Sequence, residues 1–146
     1  MATDTTSSPS ARPHRLRHLP TAARLLLGLV FFGSGLAGLL MPMPALTSPP
    51  MSEGLVALIT GFVKSGYLLS LLKVTETVVG ALLLSNRFVP LALTVLAPLV
   101  VNIVAVHLFL DRSGLPIAAV ILALHLYLAW TYREAYRPLL AARFRP

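Results

Sequence analysis

Residues 67–85 read YLLSLLKVTETVVGALLLS, a run of nineteen in which Lys73 and Glu76 are the only charges. At 1.5 Å rise per residue the run makes a helix of roughly 28 Å, about the thickness of a bilayer's hydrocarbon core. An ionised side chain near the bilayer centre costs about 2.5–3.5 kcal/mol on insertion scales, so a carboxylate there requires a partner. Lys73 and Glu76 are three residues apart. That spacing puts them on one helical face, where each can neutralise the other. The remaining apolar runs read as the packing around this pair.

Composition supports a membrane setting. Charged residues make up 12% of the 146-residue chain and its mean hydropathy is +0.80. A soluble domain carries about 25% charged residues, so this chain has too few to cover a water-exposed surface. The expected fold is an all-α membrane protein: a four transmembrane helix bundle with a short interfacial or re-entrant helix between helices 1 and 2. The net charge of +7 raises the question of nucleic acid. However, the basic residues sit at the ends of apolar segments and form no basic face interleaved with aromatics, so no nucleic-acid partner is expected. There are no cysteines, which excludes disulfides, thiol–disulfide exchange and cysteine nucleophiles within the chain.

In chain order, residues 1–20 read as a disordered basic cytoplasmic arm, rich in Ser, Thr, Pro and Arg. Residues 21–138 form the bundle, with helices over about 21–41, 67–85, 88–110 and 117–136, and 139–146 are a basic cytoplasmic tail. The apolar run that opens the bundle is long for a signal-peptide h-region and no clean A-x-A site follows it, so it is kept as a helix. Its Gly33/Ala37 and Ser34/Gly38 pairs have small-xxx-small spacing, which lets another helix approach closely. A phosphate-binding glycine loop is excluded, because no strand precedes these glycines and no Lys-Ser/Thr follows them.

Within 52–64, Ser52 suits a helix N-cap, and Leu55, Leu58, Ile59 and Phe62 share one apolar face. At about a dozen residues this piece is too short to span, so it is either a lid over the polar site or an interfacial connector. Pro98 is expected to kink the third membrane helix and free the carbonyl of Thr94. Trp130, Tyr132 and Tyr136 suit an aromatic belt at a membrane surface. With the N-terminus inside, the inner segments hold nine Lys or Arg residues and the outer ones only Lys64 and Arg112. That bias puts both termini in the cytoplasm.

Depth along the helices then singles out a polar set. Counted from the predicted outer ends, Glu76 lies roughly 13 Å down, and Asn102 and His125 roughly 12 Å down. Lys73 and His107 lie nearer the surface, at roughly 9 and 5 Å. Ionisable residues inside a membrane are functional candidates, so Lys73, Glu76, Asn102, His107 and His125 are the ligand-binding candidates. Each also has a structural reading, as an interhelical hydrogen bond, a headgroup contact or a packing ion pair. The sharper reading is an outward-opening pocket in which His125 and Glu76 exchange protons while Lys73 and Asn102 position an oxygen-rich ligand. A quinone headgroup suits such a site. No metal is expected, because no ligand pair has the E-x-x-H spacing of bundle metal sites.

The segments LLGLVFFGSGLAGLL, LLKVTETVVGALLL, NRFVPLAL, APLVVNIVAVHLFLD and LYLAWTYREAYRPLL together resemble the DoxX-like family of small bacterial membrane proteins. The resemblance covers roughly residues 23–140 and implies a multi-pass four-helix bundle in the bacterial inner membrane. The family takes its name from a subunit of a thiosulfate–quinone oxidoreductase, and some relatives are linked to oxidative-stress complexes. More distant look-alikes work through cysteines, and that chemistry cannot be carried to this chain. Two functions follow as expectations. One is a membrane component of a larger assembly, in contact with the lipid bilayer and with membrane or redox partner proteins or further copies of itself. The alternative is a quinone-linked oxidoreductase subunit with a polar intramembrane pocket. Whether the chain is itself an enzyme is left open, and no residue is given a catalytic role.

Overall fold

The computed structural model describes residues 18–41 and 51–137. The arm at 1–17, the proline-rich segment 42–50 and the tail from 138 onward lie outside the described residues. The described residues are all-helical: α1 (Leu19–Leu40), α2 (Glu53–Lys64), α3 (Leu68–Leu84), α4 (Val89–Phe109), a 3-10 turn (Arg112–Gly114), α5 (Leu115–Thr131) and α6 (Arg133–Tyr136). Three stretches are long and apolar enough to cross a membrane: α1, α4, and α5 with its preceding turn. The pair α2–α3, bent by 94° at a short break, meets the same test only when taken together, as one broken span or a re-entrant loop.

Each helix packs on its neighbours in a ring. Contacts join α1 to α3, α3 to α4, α4 to α5 and α5 back to α1, leaving α1/α4 and α3/α5 across the diagonals. The core is Leu27 and Phe31 of α1, Val79 and Leu83 of α3, Leu93, Leu96 and Val100 of α4, and Ile121 and Leu128 of α5. Outside this core the helices keep apolar side chains exposed, among them Leu29, Val78, Val101 and Leu126. A surface of this kind is compatible with contact to lipid rather than water.

The closest seam joins α1 and α3. A methyl group at Gly35 would lie 2.5 Å from the Thr77 nitrogen and Oγ1, and one at Gly80 would overlap the Phe32 backbone. Gly28 faces Leu84 and Gly38 faces the stem of Lys73, so the contacts run in antiparallel register along the seam. Of the two small-residue pairs expected from spacing, Ser34/Gly38 lies on this seam and Gly33/Ala37 does not supply the close approach. Gly33 has nothing within 4 Å, and the close approach is made by Gly35 and Gly80 instead. The reason is the facing of α1. Its buried residues Arg24, Leu27, Gly28, Phe31 and Gly35 repeat at three- and four-residue steps, and Gly33 points off that stripe.

Local signals account for the ends. Ser52 caps α2 by accepting the Leu55 amide at 3.3 Å, and its hydroxyl donates to the Leu110 carbonyl, tying α2 to the end of α4. Glu53 in the first turn and Lys64 in the last complement the helix dipole. At the bend, Ser65 Oγ donates to Phe62 O at 2.6 Å and accepts from Leu68 N at 3.0 Å, and Gly66 takes φ 77°. α3 ends in a Schellman motif: Asn86 N donates to Leu83 O and Arg87 N to Leu82 O, with Asn86 left-handed at φ 56°.

α4 is a single helix that carries Pro98 in its interior, so the proline does not break it. The fourth spanning helix is shorter than the expected 117–136. It begins at Leu115, with Pro116 in its first positions, and stops at Thr131. The chain then turns at Tyr132 into the short α6, which lets Tyr136 Oη donate to Pro90 O at 3.1 Å.

Candidate functional site

Lys73 and Glu76 lie on α3, facing α1, and meet as the sequence spacing requires. Lys73 Nζ is 2.8 Å from Glu76 Oε2. Ser34 of α1 closes a triangle, donating to Glu76 Oε2 at 3.0 Å and accepting from Lys73 Nζ at 3.2 Å. Glu76 is 6% exposed, whereas the Lys73 side chain keeps 19% of its surface. A carboxylate that accepts from both an ammonium and a hydroxyl is well compensated for its burial. Ser34 can take this place because Gly35 and Gly80 let α1 and α3 come close, and Gly38 leaves the room that the Lys73 stem fills.

Beside this triangle is an apolar cavity of about 470 Å³. Its walls are Ala37 and Gly38 of α1, Ile59 and Phe62 of α2, and Leu72 and Lys73 of α3. Among the described residues Lys73 is the only charged one lining it. α2 therefore forms one side of the cavity, held at its start by the Ser52–Leu110 hydrogen bond and at its end by the Ser65 bend. A second apolar cavity of about 320 Å³ lies on the other side of Phe62 and Leu72, toward α4.

The other sequence candidates do not join this cluster. His125 is buried on α5, across the bundle diagonal from α3, and its Nδ1 has no hydrogen-bond partner among the described residues. Glu76 bonds Ser34 and Lys73, and among the described residues no direct hydrogen bond joins it to His125. Asn102 is exposed on the outer face of α4. Counting along the helices put these three residues at similar depth, but it could not give the direction each helix faces. His107 is half-buried at the end of α4, with Nδ1 3.0 Å from the Asp111 carbonyl and its ring against the Gly114 backbone. Next to it, Asp111 caps the 3-10 turn, and hydrogen bonds from the Ser113 side chain and amide hold its carboxyl below the usual carboxylate range. Among the described residues no three His, Asp or Glu side chains gather closely enough to hold a metal ion.

Two residues of this region were not singled out by sequence reading. Ser34 was read only as a small packing residue. Arg24 was counted as a loop cation, yet it is 8% exposed and donates from one guanidinium nitrogen to Leu83 O and, at 3.2 Å, to Leu84 O. It caps the carbonyl end of α3, where the helix dipole favours a cation. The available signal was its position three, four and seven residues before Leu27, Gly28 and Phe31, on the face that packs. Replacing Arg24 with Leu is expected to cost about 2 kcal/mol, because a hydrogen bond to a charged group is worth about 1.5–3 kcal/mol and new apolar packing offsets part of it. Faster amide exchange at the end of α3 in Arg24→Leu than in Arg24→Lys is the measurement that checks this.

The fold and site define a helical bundle with three to four crossings and an ion pair set at the edge of an apolar cavity. Compared with known proteins, the chain matches no family model, no curated protein and no solved structure.

Proposed function

We propose that the α1–α2–α3 cavity holds the headgroup of a neutral, lipophilic carbonyl compound, a quinone, and that the chain is the quinone-holding membrane component of an oxidoreductase assembly. The observation that carries this is the apolar cavity of about 470 Å³ in which Lys73 is the one charged residue among the described lining residues. Volumes of about 300–1,000 Å³ lined by apolar side chains with a few placed polar groups are typical of small-molecule sites. An ammonium has three N–H donors. Two of those on Lys73 go to Glu76 and Ser34, which leaves one for a ligand oxygen. The lysine–glutamate pair has no net charge, so the site favours a neutral acceptor such as a quinone carbonyl over an anion. Glu76 and Ser34 position the ammonium at the cavity wall.

The resemblance to DoxX-like proteins points the same way, since that family is named for a subunit of a quinone-linked enzyme. On this reading the chain is an inner-membrane protein with both termini cytoplasmic, in keeping with the distribution of its basic residues. On this reading a partner protein supplies the electrons, and with no cysteine in the chain they do not come from a thiol couple within it.

The test is a thermal-shift titration of detergent-purified protein with a short-chain quinone. A ligand that binds only the folded state stabilises it by about 2.7 kcal/mol at a hundredfold excess over its dissociation constant. The expected result is a saturable rise in Tm for the wild type that is lost in a folded Lys73→Met variant. Equal shifts in both proteins, or none in either, would overturn the proposal. The non-catalytic assembly reading would then stand.

A further inference from the structure

A carboxamide and a proline share one exposed stripe of α4. Asn102 is exposed seven residues before Phe109, the last residue of the helix. Seven residues are roughly 10 Å, which places the amide within the hydrocarbon layer if α4 spans it. Lipid tails offer no donor or acceptor there, and an unpartnered polar group is unfavourable. One turn back on the same stripe lies Pro98, also exposed. It has no amide hydrogen, so the Thr94 carbonyl loses its helical partner on that side. The flanking exposed residues are apolar: Leu91 at 57%, Val95 at 40% and Val101 at 66%. Two shallow apolar grooves of about 320 and 310 Å³ run along the α3–α4 seam beside the stripe, and both include Val95.

We infer that this face of α4 is a two-fold interface with a second copy of the chain, in which the two Asn102 carboxamides pair with each other. An amide carries both a donor and an acceptor, and two copies inserted in the same orientation place Asn102 at one depth. A two-fold axis along the membrane normal therefore satisfies both amides with no other partner. The exposed valines and leucines of one α4 seat in the α3–α4 groove of the other. Neither the cavity nor Lys73 takes part, so the interface stands whether or not the cavity binds a quinone.

The full chain has no cysteine, so single-cysteine variants report proximity directly. Oxidative cross-linking in liposomes is expected to join chains carrying Val95→Cys, and not those carrying Leu126→Cys on α5 or Leu29→Cys on α1. Energy transfer between labelled chains diluted in liposomes is expected to give a dimer dissociation constant about tenfold weaker in Asn102→Leu, the value of one interhelical amide hydrogen bond. Asn102 is exposed, so the variant keeps its bundle, which an unchanged Tm of the monomer would verify. Equal cross-linking at all three positions, or equal dissociation constants, would overturn the inference. So would native-membrane cross-links at Val95 that join the chain only to a different protein.

Discussion

Gly80→Ala is expected to lower the stability of the purified protein by about 2–3 kcal/mol, although alanine is the better helix former by roughly 1 kcal/mol. The added methyl would overlap the Phe32 backbone rather than a flexible side chain, so no rotamer change can relieve it. α1 and α3 must then separate, and this is the seam that holds Ser34 against Glu76. Gly33→Ala is the matched control. With nothing within 4 Å of that position, it is expected to leave stability unchanged or raise it by up to about 1 kcal/mol. Denaturation of the two variants in the same detergent decides the matter. A Gly80→Ala protein as stable as Gly33→Ala would show that the seam can open without penalty.

Glu76→Gln is expected to cost about 2 kcal/mol. Removing one partner of a fully buried ion pair costs about 3–5 kcal/mol, because the remaining charge stays desolvated. The smaller figure reflects the 19% exposure of the Lys73 side chain, which can turn toward the cavity. Adding Lys73→Met removes the stranded charge, so the double variant is expected to recover most of the loss. The glutamine can still accept from Ser34. Quinone binding is expected to behave differently: absent in the double variant despite its recovered stability. A double variant no more stable than Glu76→Gln would mean that the ion pair contributes through packing rather than charge.

How much of this was legible beforehand differs by element. Residues 67–85 announced a helix and its internal ion pair, because an i, i+3 pair depends only on helical geometry; at 17 residues α3 is shorter than expected and is long enough to cross only when taken with α2. Ser52 announced the cap of α2, since that effect acts within a few residues. The partners of those groups were not legible. Ser34 reaches Glu76, Arg24 reaches the end of α3, and Ser52 reaches Leu110, each across 42 residues of sequence or more. Depth counting put Asn102 and His125 level with Glu76, yet depth is only one coordinate. The missing one is rotation about each helix axis, and in a nearly uniform apolar helix such as α4 the side chains barely record it.

The sequence by itself determined that this chain forms apolar helices of spanning length, where most of them end, and that Lys73 neutralises Glu76. These properties rest on local backbone geometry and on the energy of placing charge in hydrocarbon. Only the tertiary structure decided which helix faces which. It selected Gly35 and Gly80 rather than Gly33 for the close seam, sent Asn102 outward, and set Lys73 on the wall of a cavity bounded on one side by α2. The physical reason is packing: which face of a helix is buried depends on the shapes of the neighbours it meets, and those come from distant parts of the chain.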